Sequence, residues 1–228
     1  MMIRYARSGG FRPPRDREIL TIEKDGAFTM WRSIGSAVYP PSPVGRFAGQ
    51  LEPRTQESLT KAVQAVAHEG DIDIVPKPGS AIVNIETDQV HARMGIHDEP
   101  GNSWGALAEL LQGLLKNLTS CPVAAMDVAV SDDGKKAHLA HLGQQPLLLD
   151  LSELIVRAVL WEDHKKLGDW STSGTAAGED QISAAINWKL ELPFDHGFDP
   201  SGEQNVVVYV TFAISHKNQF IPVRLDSS

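Results

Sequence analysis

The histidine and acidic residues that could bind a metal ion lack the spacing of a known metal motif. His138 and His141 are three residues apart on a predicted strand, where they would point to opposite faces of a sheet. The run His97-Asp98-Glu99 puts three potential ligands in one predicted loop, where we expect them to be solvated. The chain also lacks the pattern His-Glu-x-x-His. We therefore expect no metal site.

Residues that could act as nucleophiles or proton donors are equally isolated. The chain has no G-x-x-x-x-G-K-[ST] and no strand followed by G-x-G-x-x-G, so the common nucleotide-binding motifs are absent. Gly101-Asn102-Ser103-Trp104-Gly105 matches G-x-S-x-G, but its serine is the expected cap of a helix that follows a loop and not a nucleophile on a sharp turn from a strand into a helix. Cys121 follows a predicted helix instead of starting one, so we expect it to pack against its neighbours and not to react. Adjacent acidic pairs such as Asp132-Asp133 are typical of turns. We expect a protein that is not an enzyme, with no catalytic residue and no cofactor.

Composition and charge exclude further classes. The 228 residues are 42% hydrophobic and 22% charged, as in ordinary globular proteins, and no stretch approaches the roughly 20 apolar residues of a membrane span. The net charge is −8, and residues 121–228 hold 8 basic and 15 acidic side chains. This excess of negative charge repels nucleic acid and anionic lipid, so neither is an expected partner. A single cysteine and an opening without an apolar run favour a cytoplasmic location.

Residues 1–120 are predicted to form an α+β domain, an antiparallel sheet packed with two helices. Ile3 and Tyr5 alternate with Arg4, which predicts a first strand. Lys24-Asp25-Gly26 predicts a tight hairpin between strands at 18–23 and 27–32, with Ile19 facing inward and Ile22 a further candidate for the inward face. Residues 33–50 contain three prolines and three glycines and are predicted to be a loop.

Two helices follow in this domain. Pro53 is suited to a first helical position and Gly70 to a stop, so a helix is predicted between them. Ser103 is expected to cap a second helix, whose leucines recur at i, i+3 and i+4 as far as Leu118 and predict a buried stripe. Strands at 81–85 and 90–96 are expected to pair between the two helices.

Residues 121–228 are predicted to form an all-β sandwich of the immunoglobulin or fibronectin type. The period of the apolar residues changes from helical to two after Thr119-Ser120-Cys121-Pro122, which marks the predicted boundary. Six or seven short strands joined by turns are typical of such sandwiches. The segment 206–214 is apolar on both faces and is predicted to be a central strand, 186–192 a further strand, and 171–183 a flexible loop.

The first half of the chain resembles the emfourin family, small bacterial inhibitors of thermolysin-like zinc metallopeptidases. The resemblance starts with Ile3-Arg4-Tyr5-Ala6-Arg7-Ser8-Gly9-Gly10-Phe11, a strand that ends in an SGGF element. It continues through the hairpin at Asp25-Gly26, the segment Gly45-Arg46-Phe47-Ala48-Gly49-Gln50-Leu51 and the leucine-rich helix, over about 118 residues. The chain departs from the family after Phe11, where Arg12-Pro13-Pro14 replaces a small residue and another glycine.

The resemblance implies a protein that occludes a peptidase cleft without catalysing a reaction. The partner-binding residues that it implies are Arg7, Ser8, Gly9, Gly10, Phe11 and Arg12. Phe11 would be an apolar anchor and Arg7 or Arg12 a charged contact. Two alternatives stay open: a non-inhibitory adaptor that docks a partner through the acidic sandwich, and an enzyme with a site between the domains.

Overall fold

The computed structural model of the chain describes residues 2–8, 16–36, 43–78, 80–96, 98, 102–131, 136–162, 165–173, 180–193, 205–217 and 219–227. This part is mostly β-structure with two helices, α1 (Pro53–Glu69) and α2 (Ser103–Leu118). The strands are β1 (Ile3–Ser8), β2 (Asp16–Ile22), β3 (Ala27–Arg32), β4 (Ile34–Ser36), β5 (Val44–Gln50), β6 (Ile72–Asp73), β7 (Ile82–Thr87), β8 (His91–Gly95), β9 (Pro122–Val130), β10 (Lys136–Gly143), β11 (Leu147–Glu162), β12 (Lys165–Ser173), β13 (Gln181–Ala184), β14 (Lys189–Pro193), β15 (Asn205–His216) and β16 (Gln219–Ser227). Within the described residues, no helix is both long enough and apolar enough to cross a membrane.

The chain divides into two units. The first consists of Met1–Arg32 and Arg46–Cys121, and the second of Ser33–Gly45 and Pro122–Ser228. The predicted loop at 33–50 is wrong, because this stretch contains β4 and β5. Strand β4 pairs in parallel with β16, Ile34 lying opposite Arg224, and a partner so distant in sequence leaves no local pattern.

The first unit contains one sheet, with the strand order β5-β3-β2-β1-β7-β8-β6. Strand β1 lies near the middle and pairs antiparallel with β2 on one side and β7 on the other. Alternate residues point to the buried face, so Tyr5 and its opposite neighbour Leu20 are fully buried. Ile19, predicted to face inward, lies on the other face, because the buried positions of β2 are Leu20 and Ile22.

The β2–β3 turn confirms the predicted hairpin. Gly26 has φ 85°, a left-handed conformation that favours glycine. The carboxylate of Asp25 accepts a hydrogen bond from the Ala27 amide at 3.0 Å, and the Gln50 side chain donates to the Asp25 carbonyl at 2.6 Å. The turn is therefore tied to the segment that leads into α1.

Both helices begin and end close to the predicted positions. Pro53 starts α1, and Gly70, with φ 81°, ends it. The cap of α2 is Asn102 and not Ser103, since the Asn102 side chain accepts a hydrogen bond from the Gly105 amide at 3.3 Å. Leucines of α2 are buried at the predicted spacing, and the Trp104 indole donates to the Gly70 carbonyl at 2.9 Å, which ties α2 to the end of α1.

The second unit contains strands from two sheets. One has the order β14-β10-β9, and the other β12-β11-β15-β16-β4, with β13 paired to β11. Strand β15 lies between β11 and β16, which confirms the predicted central strand at 206–214. The long strands of the second unit exceed the short strands predicted, since β11 has 16 residues and β15 has 12.

Two local predictions in the second unit are wrong. The expected loop at 171–183 overlaps the end of β12 and nearly all of β13, and only residues 174–179 lie outside the described residues. The expected strand at 186–192 begins at Lys189 instead, because Ile186 and Asn187 form a turn. Asn187 has φ 64° there, a left-handed conformation that asparagine tolerates.

Candidate partner-binding site

The predicted partner-binding residues begin at the end of β1. Arg7 and Ser8 belong to β1, whereas Gly9, Gly10, Phe11 and Arg12 lie outside the described residues. The β1–β2 register shifts between Arg7, which lies opposite Glu18, and Ser8, which lies opposite Asp16. One extra residue on β2 therefore forms a bulge, which bends a strand pair and increases its twist.

Three charged side chains follow one row across the strands beside this bulge. Arg7 on β1 lies opposite Glu18 on β2, and Glu18 lies opposite Arg32 on β3. An Arg32 terminal nitrogen, NH2, is 2.6 Å from Glu18 Oε1, and the Arg7 nitrogen NH1 is 3.5 Å from Glu18 Oε2. One carboxylate thus lies between two guanidinium groups. We call these three residues the charged row.

Burial of the charged row decreases from Arg32 to Arg7. The exposed fractions of the side chains are 6% for Arg32, 10% for Glu18 and 30% for Arg7. Arg32 also donates from NH2 to the Leu115 carbonyl of α2 at 3.5 Å, near the helix C-terminus, where a positive charge is favourable. The Arg32–Glu18 contact is therefore buried beneath α2, and Arg7 lies at the rim.

Tyr5 lies two residues before Arg7 on the same side of β1. Its side chain is fully buried, and its hydroxyl has no hydrogen-bond partner. Burial raises the pKa of Tyr5 above its ordinary value, and the negative charge of Glu18 raises it further, while Arg7 and Arg32 oppose this. Tyr5 is therefore neutral at physiological pH and adds no charge to the row.

The chemistry available to the charged row is recognition of charge. A guanidinium group stays protonated throughout the physiological range and offers only donors, arranged to bind a carboxylate. The row also ties β1, β2 and β3 together where β1 and β2 lead into residues 9–15. Glu18 and Arg32 were not among the predicted site residues, although each occupies an inward position of its strand that an apolar residue would normally fill.

A depression of about 430 Å³ lies at the other end of β1, around the turn between β7 and β8. Its acidic groups already have partners: Glu86 is 3.1 Å from Arg4, and Asp88 accepts a hydrogen bond from the Met2 amide at 3.2 Å. Among the described residues, no three His, Cys, Asp or Glu side chains are grouped so that they could hold a metal ion. His97 and Glu99 lie outside the described residues.

The two histidines considered above, His138 and His141, differ in exposure. His141 is 4% exposed, whereas the His138 side chain is 43% exposed and lies 3.8 Å from Glu191. The predicted opposite orientation is therefore confirmed. The ring nitrogens of His141 have no partner of normal hydrogen-bond geometry. Burial lowers the pKa of His141, and the nearby backbone of Gln145 opposes this shift only in part.

Cys121, expected to pack, is exposed. It comes directly after the end of α2, and its amide donates to the Leu118 carbonyl at 3.2 Å. This hydrogen bond continues the helical turn and leaves the thiol at the surface. The local pattern marked the end of the helix and left the side chain's exposure undetermined.

One face of the second unit carries a network of charged and aromatic side chains. Arg157 donates two hydrogen bonds to Asp169, at 2.8 and 2.5 Å, and Lys166 contacts the same carboxylate. These bonds lower the pKa of Asp169. Tyr209 lies opposite Arg157 in the register, and the guanidinium carbon of Arg224 lies 5.6 Å from the centre of the Tyr209 ring.

Comparisons with protein-family models, curated proteins and solved structures gave no match. The resemblance to the emfourin family therefore depends on the residues quoted above and on their order along the first half of the chain.

Proposed function

We propose that this chain is a protein-binding protein that inhibits a bacterial zinc metallopeptidase of the thermolysin type by occluding its cleft. The observation that carries the proposal is the charged row, which braces the strands on both sides of residues 9–15. An inhibitory segment must reach the cleft with little loss of conformational freedom. A base fixed by a buried ion pair would reduce that loss.

Several residues in and beside the segment 9–15 would contact the partner. Gly9 and Gly10 allow the backbone to approach the partner closely, Phe11 would fill an apolar pocket, and Pro13-Pro14 would restrict the backbone. Arg7 and Arg12 would supply charged contacts. No step in this scheme makes or breaks a covalent bond.

The proposal is tested by titrating the purified protein against several thermolysin-like peptidases and following hydrolysis of a peptide substrate. We expect activity to fall with added protein until the peptidase is saturated. The double substitution Phe11→Ala with Arg12→Ala is expected to weaken inhibition at least about tenfold, because apolar and arginine anchors dominate such interfaces. Lys61→Ala is the control, since Lys61 is exposed on α1 and pairs with Glu57 on the same helix.

Two results would contradict parts of this proposal. Full peptidase activity at micromolar excess of the protein, across several such enzymes, would refute inhibition. Inhibition that survives the double substitution unchanged would refute the assignment of Phe11 and Arg12 as contacts.

The finer architecture belongs to the same proposal. We propose that the first unit is an α+β module whose helices cover one face of its sheet, supported by the contact between Arg32 and α2. The second unit would be a sandwich of the immunoglobulin or fibronectin type, supported by two sets of strands with buried alternate residues. An experimental structure in which the two sheets do not pack face to face would refute the sandwich. The cytoplasmic location stays a prediction.

A second candidate function is that of a non-inhibitory adaptor. Five large apolar side chains are exposed on the described strands and turns of the second unit: Leu148, Ile155, Leu167, Ile186 and Phe220. The net negative charge of residues 121–228 would steer a positively charged protein toward this unit. The double substitution Ile155→Ser with Phe220→Ser should abolish capture of a basic partner while peptidase inhibition is unchanged; unchanged capture would refute this function.

A further inference from the structure

Arg7 carries a positive charge that the charged row neutralises only in part. Glu18 supplies one negative charge to two guanidinium groups. Its shorter contact, 2.6 Å, is with the more deeply buried Arg32, and its contact with Arg7 is 3.5 Å long. Since Tyr5 is neutral, the row carries a surplus of one positive charge. The exposure of Arg7 places that surplus at the rim.

The hydrogen-bonding capacity of Arg7 is also incompletely used. Its Nε is buried and has no acceptor, and its bond to Glu18 is at the limit of hydrogen-bond length. Arg4 on the same strand is different: it faces the other side of the sheet and pairs with Glu86 at 3.1 Å, one charge for one charge. Buried donors without acceptors are uncommon in folded proteins and call for an explanation.

We infer that Arg7 binds a carboxylate, an Asp or Glu side chain of the partner protein. A carboxylate can accept two parallel hydrogen bonds from one guanidinium group, which would use donors that Glu18 leaves unsatisfied. Glu18 stays neutralised by Arg32 when Arg7 turns to the partner, so the exchange leaves no buried charge unpaired. The inference rests on the proposed function only in that the partner is a protein that reaches the end of β1.

The first experiment does not need the peptidase. The Nε–H signals of the arginines are followed by NMR as an N-acetylated Glu-Glu dipeptide amide is added, with the Gln-Gln dipeptide amide as the neutral probe. We expect the Arg7 signal, assigned from its loss in Arg7→Gln, to shift with the acidic probe, to saturate, and to exceed the shift of Arg4. A shift no larger than that of Arg4, or an equal shift with the neutral probe, overturns the inference.

The second experiment uses a peptidase that the protein inhibits. Arg7→Gln is expected to weaken inhibition about tenfold, the loss of a charge-assisted hydrogen bond, and to flatten its dependence on salt; Arg4→Gln is expected to leave both unchanged. Arg7→Lys keeps the charge without the paired donors, so it should weaken inhibition nearly as much as Arg7→Gln does but keep the salt dependence of the wild-type protein. The amide spectrum of each variant shows that it is folded. Equal inhibition by the wild-type protein and Arg7→Gln overturns the inference. If no peptidase is inhibited, the proposed function fails and the dipeptide experiment alone decides whether Arg7 binds carboxylates.

Discussion

Replacing Glu18 with glutamine is expected to destabilise the first unit by about 3 kcal/mol. Breaking a buried ion pair by removing one partner costs about 3–5 kcal/mol. The lower end applies because the amide oxygen of glutamine can still accept a hydrogen bond from Arg32. Most of the cost arises from the Arg32 guanidinium, which is only 6% exposed and loses its neutralising charge.

The two contacts of Glu18 should differ in strength. Arg7→Gln is expected to cost less than about 1 kcal/mol, because Arg7 is partly exposed and its contact with Glu18 is long. Replacing Glu18 and Arg32 together by methionine is expected to restore most of the stability, since apolar pairs of similar volume often equal buried ion pairs. A double-mutant cycle should therefore give a large coupling energy for Glu18 with Arg32 and a small one for Glu18 with Arg7.

The assay is urea unfolding, monitored in each unit by hydrogen exchange of its peptides and mass spectrometry. Peptides from β1 to β3 report on the first unit, and peptides from β15 provide the reference in the second unit. Glu57→Gln is the matched control: Glu57 is 66% exposed and pairs with Lys61 on the same helix, so its loss should stay within about 0.5 kcal/mol. Wild-type stability in Glu18→Gln, or a methionine pair as unstable as the single variant, would refute the reasoning.

Three further predictions concern the glycines, a histidine and a helix cap. Gly45 has φ 132°, and a Cβ there would lie 2.4 Å from the Ala124 carbonyl oxygen, so Gly45→Ala should destabilise the protein by at least about 2 kcal/mol. Gly113 lies on α2 with open space around it, so Gly113→Ala should stabilise the helix by about 0.5–1 kcal/mol. Equal thermal unfolding midpoints for the two variants would contradict this. Burial depresses the pKa of His141, so the unfolded state binds more protons than the folded state does. The free energy of unfolding should therefore be highest above the unfolded pKa near 6.5 and should fall as the pH drops below that value. In urea unfolding, this loss at low pH should disappear in His141→Leu and persist in the exposed control His138→Gln; an unchanged pH slope in His141→Leu would count against it. Asn102→Ala should destabilise α2 by about 1 kcal/mol, seen as faster exchange of its first-turn amides, and wild-type exchange rates would show that the cap is dispensable.

Features with local causes were the predictable part of this fold. Asp25-Gly26 fixes a hairpin within four residues, and Pro53 and Gly70 mark the ends of α1 through their own backbone preferences. The cap of α2 was placed one residue too late because Asn102 and Ser103 are both good caps, and the sequence does not show which one has the extended backbone of a cap. Strand β15 was predictable because a long run rich in valine and other strand-favouring residues indicates a strand whatever its partners; in the structure one of its faces is buried and the other is partly exposed.

Features with distant partners were not predictable in the same way. The pairing of β4 with β16 joins segments 190 residues apart, and the prolines that follow β4 suggested a loop. The charged row depends on which residues of three strands lie opposite one another, and a shift of one residue would move each side chain to the other face. Arg7 could be proposed as a contact from the sequence alone, but the partial neutralisation by Glu18 became visible only with the register.

The excursion of Ser33–Gly45 into the second unit affects how the protein must be made and dissected. The parallel partner of β4 is the last strand of the chain, so that edge of the sheet can form only when synthesis has passed Asp226, long after β4 has left the ribosome. A single cut after Cys121 would not release two intact halves either, since the longer product, residues 1–121, would keep β4 and the shorter one would expose the edge of β16. An autonomous version of the second half should instead carry residues 33–45 joined by a linker to its N-terminus.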